Sequence, residues 1–178
     1  MEHVLSLDLS TKRSGWAYYE AADCMIQYGV IASSAADVEK RIGVMRDGVI
    51  DLLKKFEVDT IVIEEVRPDG YNNHTGKVLT WLQGVVVVAA YEYDKHIKVE
   101  FIGASSWRSK LGLQGYRIQR DQQKKKDIEY ANMRYGLSLT SEQDDEADAL
   151  CILAAFVAGG PEPKTQRLGP IGSDESAF

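Results

Sequence analysis

Val4-Leu5-Ser6-Leu7-Asp8-Leu9-Ser10-Thr11-Lys12-Arg13-Ser14-Gly15-Trp16-Ala17-Tyr18-Tyr19 carries two strand patterns and the turn between them. Val4 to Leu9 alternates as a strand does, and a carboxylate, Asp8, stands at its end. Ser10 to Gly15 is turn chemistry, and Gly15 to Tyr19 is the second strand. Ala21-Ala22-Asp23 turns the chain again, and Met25 to Ile31 makes a third, so the spacing predicts an antiparallel meander. From Asp37 to Phe56 the apolar residues Val38, Ile42, Met45, Val49, Leu52, Leu53 and Phe56 follow a helical period. Thr60-Ile61-Val62-Ile63-Glu64 is the short apolar run of a buried parallel strand, followed by a polar loop from Arg67 to Gly76. Lys77 to Tyr93 predicts a largely buried helix, Lys98 to Ile102 a strand and Ser105 to Leu113 a short helix. Asp121 to Tyr135 reads as a polar helix and Asp144 to Gly159 as the last one, stopped by Gly159-Gly160-Pro161.

Three hairpin strands followed by helix, strand, helix, strand and more helix imply a mixed sheet with helices on its faces. In this order they suggest an α/β, ribonuclease H-like fold: a five-stranded sheet, three strands antiparallel and two parallel. The 178 residues fit one domain, placed over residues 1–160. Residues 161–178 hold Pro, Gly and Ser and little to bury, and are expected to be a disordered tail. The formal net charge of -6 excludes a protein that coats nucleic acid indiscriminately, but not a local basic surface. Cys24 and Cys151 both sit in apolar stretches without any CxxC or Cys/His pattern, so reduced buried thiols are expected rather than a zinc site. There is no internal repeat, no leader pattern and no apolar run of membrane-spanning length, which gives the expectation of a soluble cytoplasmic protein.

The chemistry-bearing feature is acidic. Asp144-Asp145-Glu146-Ala147-Asp148-Ala149-Leu150 opens the last helix, and Thr140-x-x-Gln143 before it resembles a capping box. Asp145 and Asp148 are three apart and share a helix face. Acids near a helix N-terminus are favoured by the macrodipole, which accounts for Asp144 and Glu146. It accounts poorly for Asp148, which borders a run that must be buried and there needs a partner or a metal. Asp8 and Glu64 end two strands that are neighbours in such a sheet, and the last helix can bring Asp145 and Asp148 over that edge. Each acid has a plain alternative: Asp8 as a turn cap, Glu64-Glu65 as a solvated strand end with the inward-facing member open. Four converging carboxylates repel one another, however, and divalent cations with oxygen ligands remove that conflict. Two-metal displacement at phosphorus uses such a cluster.

The chain resembles the RuvC family of Holliday-junction resolvases, in particular its shorter phage-type and Gram-positive members. The resemblance is carried by Leu5-Ser6-Leu7-Asp8-Leu9-Ser10 with Gly15-Trp16-Ala17, by Ile61-Val62-Ile63-Glu64-Glu65-Val66, by Leu82-Gln83-Gly84-Val85-Val86-Val87-Val88-Ala89-Ala90, and by Asp145-Glu146-Ala147-Asp148-Ala149-Leu150. It spans roughly residues 4 to 157, in the right order and spacing. It implies catalytic, metal-binding acids at Asp8, Glu64, Asp145 and Asp148, and two Mg²⁺ ions per site, replaceable by Mn²⁺. It further implies a homodimer in which each subunit nicks one of two symmetric strands of a four-way DNA junction, leaving 5′-phosphate and 3′-hydroxyl ends. The helix from Lys77 to Tyr93, apolar on more faces than one core needs, is then the expected dimer interface.

Between Arg108 and Lys126 stand seven basic residues against one acid, Asp121, inside a chain whose total charge is -6. A polyanion-binding surface and a solvated helix face both fit such a run; its place just before the acidic helix favours DNA. Arg108, Lys110, Lys124 and Lys125 are the candidates for contacts to the scissile strand. In the family the loop after Glu64 probes the open junction centre, which makes Tyr71 a base-stacking candidate; an ordinary exposed loop tyrosine is the alternative. His74 reads as a proton carrier, as a phosphate contact or as a cap of the next helix. Trp16, Trp81 and Trp107 read as core or interface residues. Competing readings are a YqgF-like nuclease acting on RNA, a phosphotransferase of the actin and sugar-kinase type suggested by Asp8-Leu9-Ser10-Thr11-Lys12, and a non-catalytic branched-DNA-binding protein.

Overall fold

The computed structural model describes residues 3–66, 74–115, 117–157 and 164–172. The meander is present as β1 (His3–Asp8), β2 (Arg13–Glu20) and β3 (Met25–Ala32). It is followed by α1 (Val38–Lys55), β4 (Thr60–Glu65), α2 (His74–Tyr93), β5 (Lys98–Gly103), α3 (Ala104–Lys110), α4 (Arg120–Tyr135), α5 (Asp144–Phe156) and β6 (Lys164–Arg167). The strands form one sheet in the order β5-β4-β1-β2-β3-β6. β1 and β4 pair in parallel, as do β4 and β5, while β1, β2 and β3 are antiparallel.

The sheet therefore has six strands, not the five expected, and the sixth comes from the segment expected to be a disordered tail. β6 pairs in parallel with β3. Its continuation stays on the same strand through Leu168 N–H to the Tyr28 carbonyl (2.8 Å) and Ile171 N–H to the Val30 carbonyl (2.9 Å). Lys-Thr-Gln-Arg carries no apolar pattern, because this strand is held by main-chain bonds on an edge and only Leu168 and Ile171 beyond it pack on the core.

Strand alternation sorts the side chains between two cores. Leu5, Leu7, Trp16, Tyr18, Ile61 and Ile63 pack with α1 and α2 residues such as Leu52 and Leu82. Val4, Ala17 and Val62 take the other face, with Leu150, Ile152 and Leu153 of α5 and Ala131 and Tyr135 of α4. Each fully buried aliphatic side chain in these layers contributes about 1.5–3 kcal/mol relative to exposure. Ser6, Asp8 and Glu64 have the parity of Val4 and Val62, so they belong to the α5 face. That parity settles which of Glu64 and Glu65 points inward. Glu64 departs from the Ile61/Ile63 alternation because it faces the other layer.

α5 lies directly on the strands beneath it. Ser6 Oγ donates to the Ala149 carbonyl at 2.8 Å. Gly15, paired with Asp8 across β1 and β2, is so close to α5 that a Cβ there would stand 1.8 Å from the Asp145 carbonyl oxygen. Gly15→Ala therefore pushes the first turn of α5 off the sheet. We expect a loss of about 2–4 kcal/mol of stability, in line with other overpacked core substitutions, and loss of any function of Asp145 and Asp148. Urea unfolding measures the first effect; an unchanged midpoint would contradict this packing.

Candidate active site

The expected capping box is present. Thr140 N–H donates to Gln143 Oε1 at 3.1 Å and its hydroxyl accepts from Glu142, which starts a single 3₁₀ turn, Ser141–Gln143, that runs into α5. This places the acidic first turn of α5 above the ends of β1 and β4. Asp8, Glu64, Asp145 and Asp148 line one cleft of about 760 Å³, together with Arg108, Lys124 and His74. The four acids expected from three distant segments are thus brought together.

Their electrostatics are those of a crowded anionic site. Burial raises the Asp8 carboxyl well above its ordinary pKa, and the facing Asp148, Glu64 and Asp145 raise it further. Asp148 is pushed up to about 8 by burial, then by Asp127 and Glu64. Asp145 is pushed up to about 6 by burial and Asp144, against the pull of Arg13 and Lys124. Burial also raises Glu64, although the Trp107 indole and Arg108 favour its ionised form. Asp148 Oδ1 is buried without a hydrogen-bond partner. A buried, unpartnered carboxylate oxygen facing other carboxylates is a costly arrangement without a cation. The donor set, all carboxylate oxygen, fits a hard divalent ion. Among the described residues, no three acidic, His or Cys side chains already stand in the arrangement of a formed metal centre. Local contacts hold two of them: Trp107 Nε1 donates to Glu64 Oε2 at 2.7 Å, and Arg13 Nε stands 3.0 Å from Asp145 Oδ2, an ion contact without hydrogen-bond alignment.

Sequence reasoning missed several members of this region. Asp127 of α4 is fully buried, paired with Arg108 (3.0 Å) and accepting from Gln123 (2.9 Å), and it raises the pKa of Asp148. Trp107 is a core residue as expected, but its indole also fixes Glu64, while Arg108 stacks on its ring at 4.1 Å. Gln83 of α2 donates to the Glu64 carbonyl at 2.7 Å. Glu146 is corrected from a helix-dipole acid to a fully buried carboxylate bound by Arg13 and Arg167. Asp144 is paired with Lys124.

The predicted basic contacts divide. Lys124 and Arg108 line the cleft, and Lys124 favours the ionised forms of Asp8, Asp145 and Asp148. Lys110 and Lys125 are exposed and do not line it; Lys125 lies 3.8 Å from Glu129, beside Gln122 and Lys126 in a shallower groove. Tyr71 lies outside the described residues. His74 is exposed at the start of α2 on the cleft wall.

Comparison with known proteins decides the family. Residues 4–155 match the family model described as crossover junction endodeoxyribonuclease RuvC. The chain belongs to the RuvC family. The RuvC of Fusobacterium nucleatum is 27% identical over 159 residues, covering 86% of this chain and 79% of that protein. The RuvC of Dictyoglomus thermophilum is 26% identical over 161 residues, 86% of this chain and 95% of that protein. Among solved structures, Thermus thermophilus RuvC in complex with a Holliday junction substrate superposes with a TM-score of 0.65 at 18% identity, over 87% of this chain and 92% of that one. The yeast mitochondrial Holliday junction resolvase Ydc2 gives 0.52 at 18% identity, over 87% and 77%. These likenesses establish the ribonuclease H-like fold, and the RuvC match covers all four acids. Among the described residues no helix is long and apolar enough to cross a membrane.

Proposed function

We propose that this chain is a structure-specific DNA endonuclease that resolves four-way junctions by paired symmetric nicks, with Asp8, Glu64, Asp145 and Asp148 holding two Mg²⁺ or Mn²⁺ ions. The observation that carries the proposal is the convergence of those acids in one cleft of a RuvC-family chain, with basic side chains on its wall. Bound ions of this kind activate water and stabilise the leaving 3′-oxygen. The chain's own residues do the rest. Trp107 and Gln83 orient Glu64. Arg108, held by Asp127 and stacked on Trp107, is a fixed donor on the cleft wall for a DNA phosphate. Lys124 lies close enough to the acids to meet the scissile phosphate. His74, exposed on the cleft wall, is the candidate proton carrier to bulk water.

The test is incubation with a labelled four-way junction, linear duplex, structured RNA and ATP, with and without Mg²⁺ or Mn²⁺. Paired symmetric nicks confined to the junction support the proposal. Cutting of RNA alone, ATP turnover, or junction binding without cutting would each replace it with one of the competing readings. Lys124→Ala should weaken junction binding and lower the slope of log K against log salt by about one unit. Lys125→Ala, exposed and away from the cleft, should do less; the reverse order would move the DNA path to the outer face of α4.

In the proposed reaction each of two subunits makes one nick. On α2, Trp81 (56% exposed), Val88 (56%) and Tyr91 (45%) form an apolar stripe away from the core. This stripe is the proposed homodimer contact. Trp81→Glu should give a monomer in sedimentation velocity and uncouple the paired nicks; a variant that sediments like the wild type would remove α2 from the interface.

A further inference from the structure

Glu146 has no solvent exposure, although it occupies the first turn of α5 and points away from the cleft. Arg13 Nη2, from the start of β2, donates to Oε2 at 3.0 Å, and Arg167 Nε, from β6, donates to Oε1 at 2.7 Å. The same Arg13 guanidinium keeps Nε 3.0 Å from Asp145 Oδ2. A buried carboxylate with two oxygens requires cationic or hydrogen-bonding partners on both. If Arg167 did not supply one, Arg13 would have to serve Glu146 with its whole planar fork. It could not then keep its edge toward Asp145, because the guanidinium is rigid.

We propose that β6 is a latch for the active-site helix: Arg167 shares the Glu146 charge, and thereby leaves the Arg13 charge beside Asp145, where it holds that carboxylate in the cleft that takes the divalent ion. Arg13, Glu146 and Arg167 are positioning residues that act through Asp145. The latch is anchored independently of this pair. β6 and its continuation bond to β3, and Gly29 lets the Leu168 carbonyl approach so closely that a Cβ would stand 2.9 Å from it. The C-terminal segment therefore fixes the position of Arg167, and Arg167 fixes the turn carrying Asp145. The inference deepens the metal reading of the four acids and rests on it.

Mn²⁺ binding to the protein, followed by electron paramagnetic resonance of the free ion, tests it without DNA or turnover. Arg167→Gln should weaken Mn²⁺ binding about tenfold, the usual size of losing a group that orients a ligand. Arg167→Lys, which keeps the charge, should stay within about threefold of wild type. Amide exchange over residues 144–149 should quicken in the Gln variant alone. Should Arg167→Gln not fold, Arg13→Lys reads the same link from the other side, since one ammonium cannot serve Glu146 and Asp145 together; it too should bind Mn²⁺ about tenfold more weakly. Wild-type Mn²⁺ affinity in a variant whose melting temperature has fallen would make the network merely structural and overturn the latch. A Lys variant as weak as the Gln variant would overturn charge sharing. A wild-type chain that takes up no Mn²⁺ would overturn the metal reading itself, and the latch with it.

Discussion

Asp8→Asn should lower junction cleavage by at least about 10³-fold while leaving four-way junction affinity within about threefold, because the cluster acts on the phosphate in flight and not on the duplex arms. Asp8 is the acid most enclosed by the others: Asp148, Glu64 and Asp145 all act on it. An amide of the same shape removes the negative charge that would draw a divalent ion in, yet keeps the side chain's volume beside Gly15 and the α5 backbone. The fold should be preserved and, on the proposed reading, the chemistry lost. Several kcal/mol of transition-state stabilisation rest on the ions such acids hold, and each 1.36 kcal/mol is tenfold in rate. Cleavage is measured in single turnover with saturating protein, and binding by gel shift in Ca²⁺. Residual cleavage above a few per cent, or an equal loss of binding, would mean that Asp8 does not hold a catalytic ion.

The elements of the fold were legible because their periods are strong: α1 departs by one residue at each end from the expected helix, and the three-stranded antiparallel meander is present as predicted. Asp8, Asp145 and Asp148 were legible as acids set against apolar runs. Glu64 was harder. On a strand buried on both faces, alternation alone does not announce a polar face, and only the layer assignment shows that Glu64 shares a side with Val62 and α5. Asp127 was hidden by its neighbours. It follows Lys124-Lys125-Lys126 directly, so the segment reads as a solvated basic surface, whereas helical spacing turns Asp127 inward and Lys125 outward. In the sequence Glu146 reads as a dipole-favoured acid because its two arginine partners lie far away in the chain, one of them in β6. Long-range ion pairs and edge strands held by main-chain bonds leave no local pattern.

In the metal-free protein, Asp148→Asn should be more stable than wild type at pH 8.5, by about 1–3 kcal/mol, and by a smaller margin at pH 5. An unfolded aspartate titrates near 3.9, but in the fold Asp148 is pushed up to about 8 by burial, Asp127 and Glu64. The fold therefore binds the proton more tightly than the unfolded chain does. Below about pH 4 both states are protonated and the group costs nothing extra; as pH climbs toward 8 the unfolded state ionises first and the native state loses stability. Asn cannot ionise, so the variant escapes this loss, less what its own unpaired amide costs in the same place. For a chain of this size the difference corresponds to about 2–12 °C in melting temperature. Divalent ions should act in the opposite sense: Mn²⁺ should raise the wild-type melting temperature most at high pH, where the carboxylates are free of protons, and barely move the variant. Scanning calorimetry of both proteins at pH 5 and 8.5, with chelator and then with Mn²⁺, reads all four comparisons. A wild type that gains on the variant as pH rises without metal would mean that Asp148 is stabilised as an anion by the protein alone. It would then have no need of a cation, and the site would be held together by Arg108 and Lys124 instead.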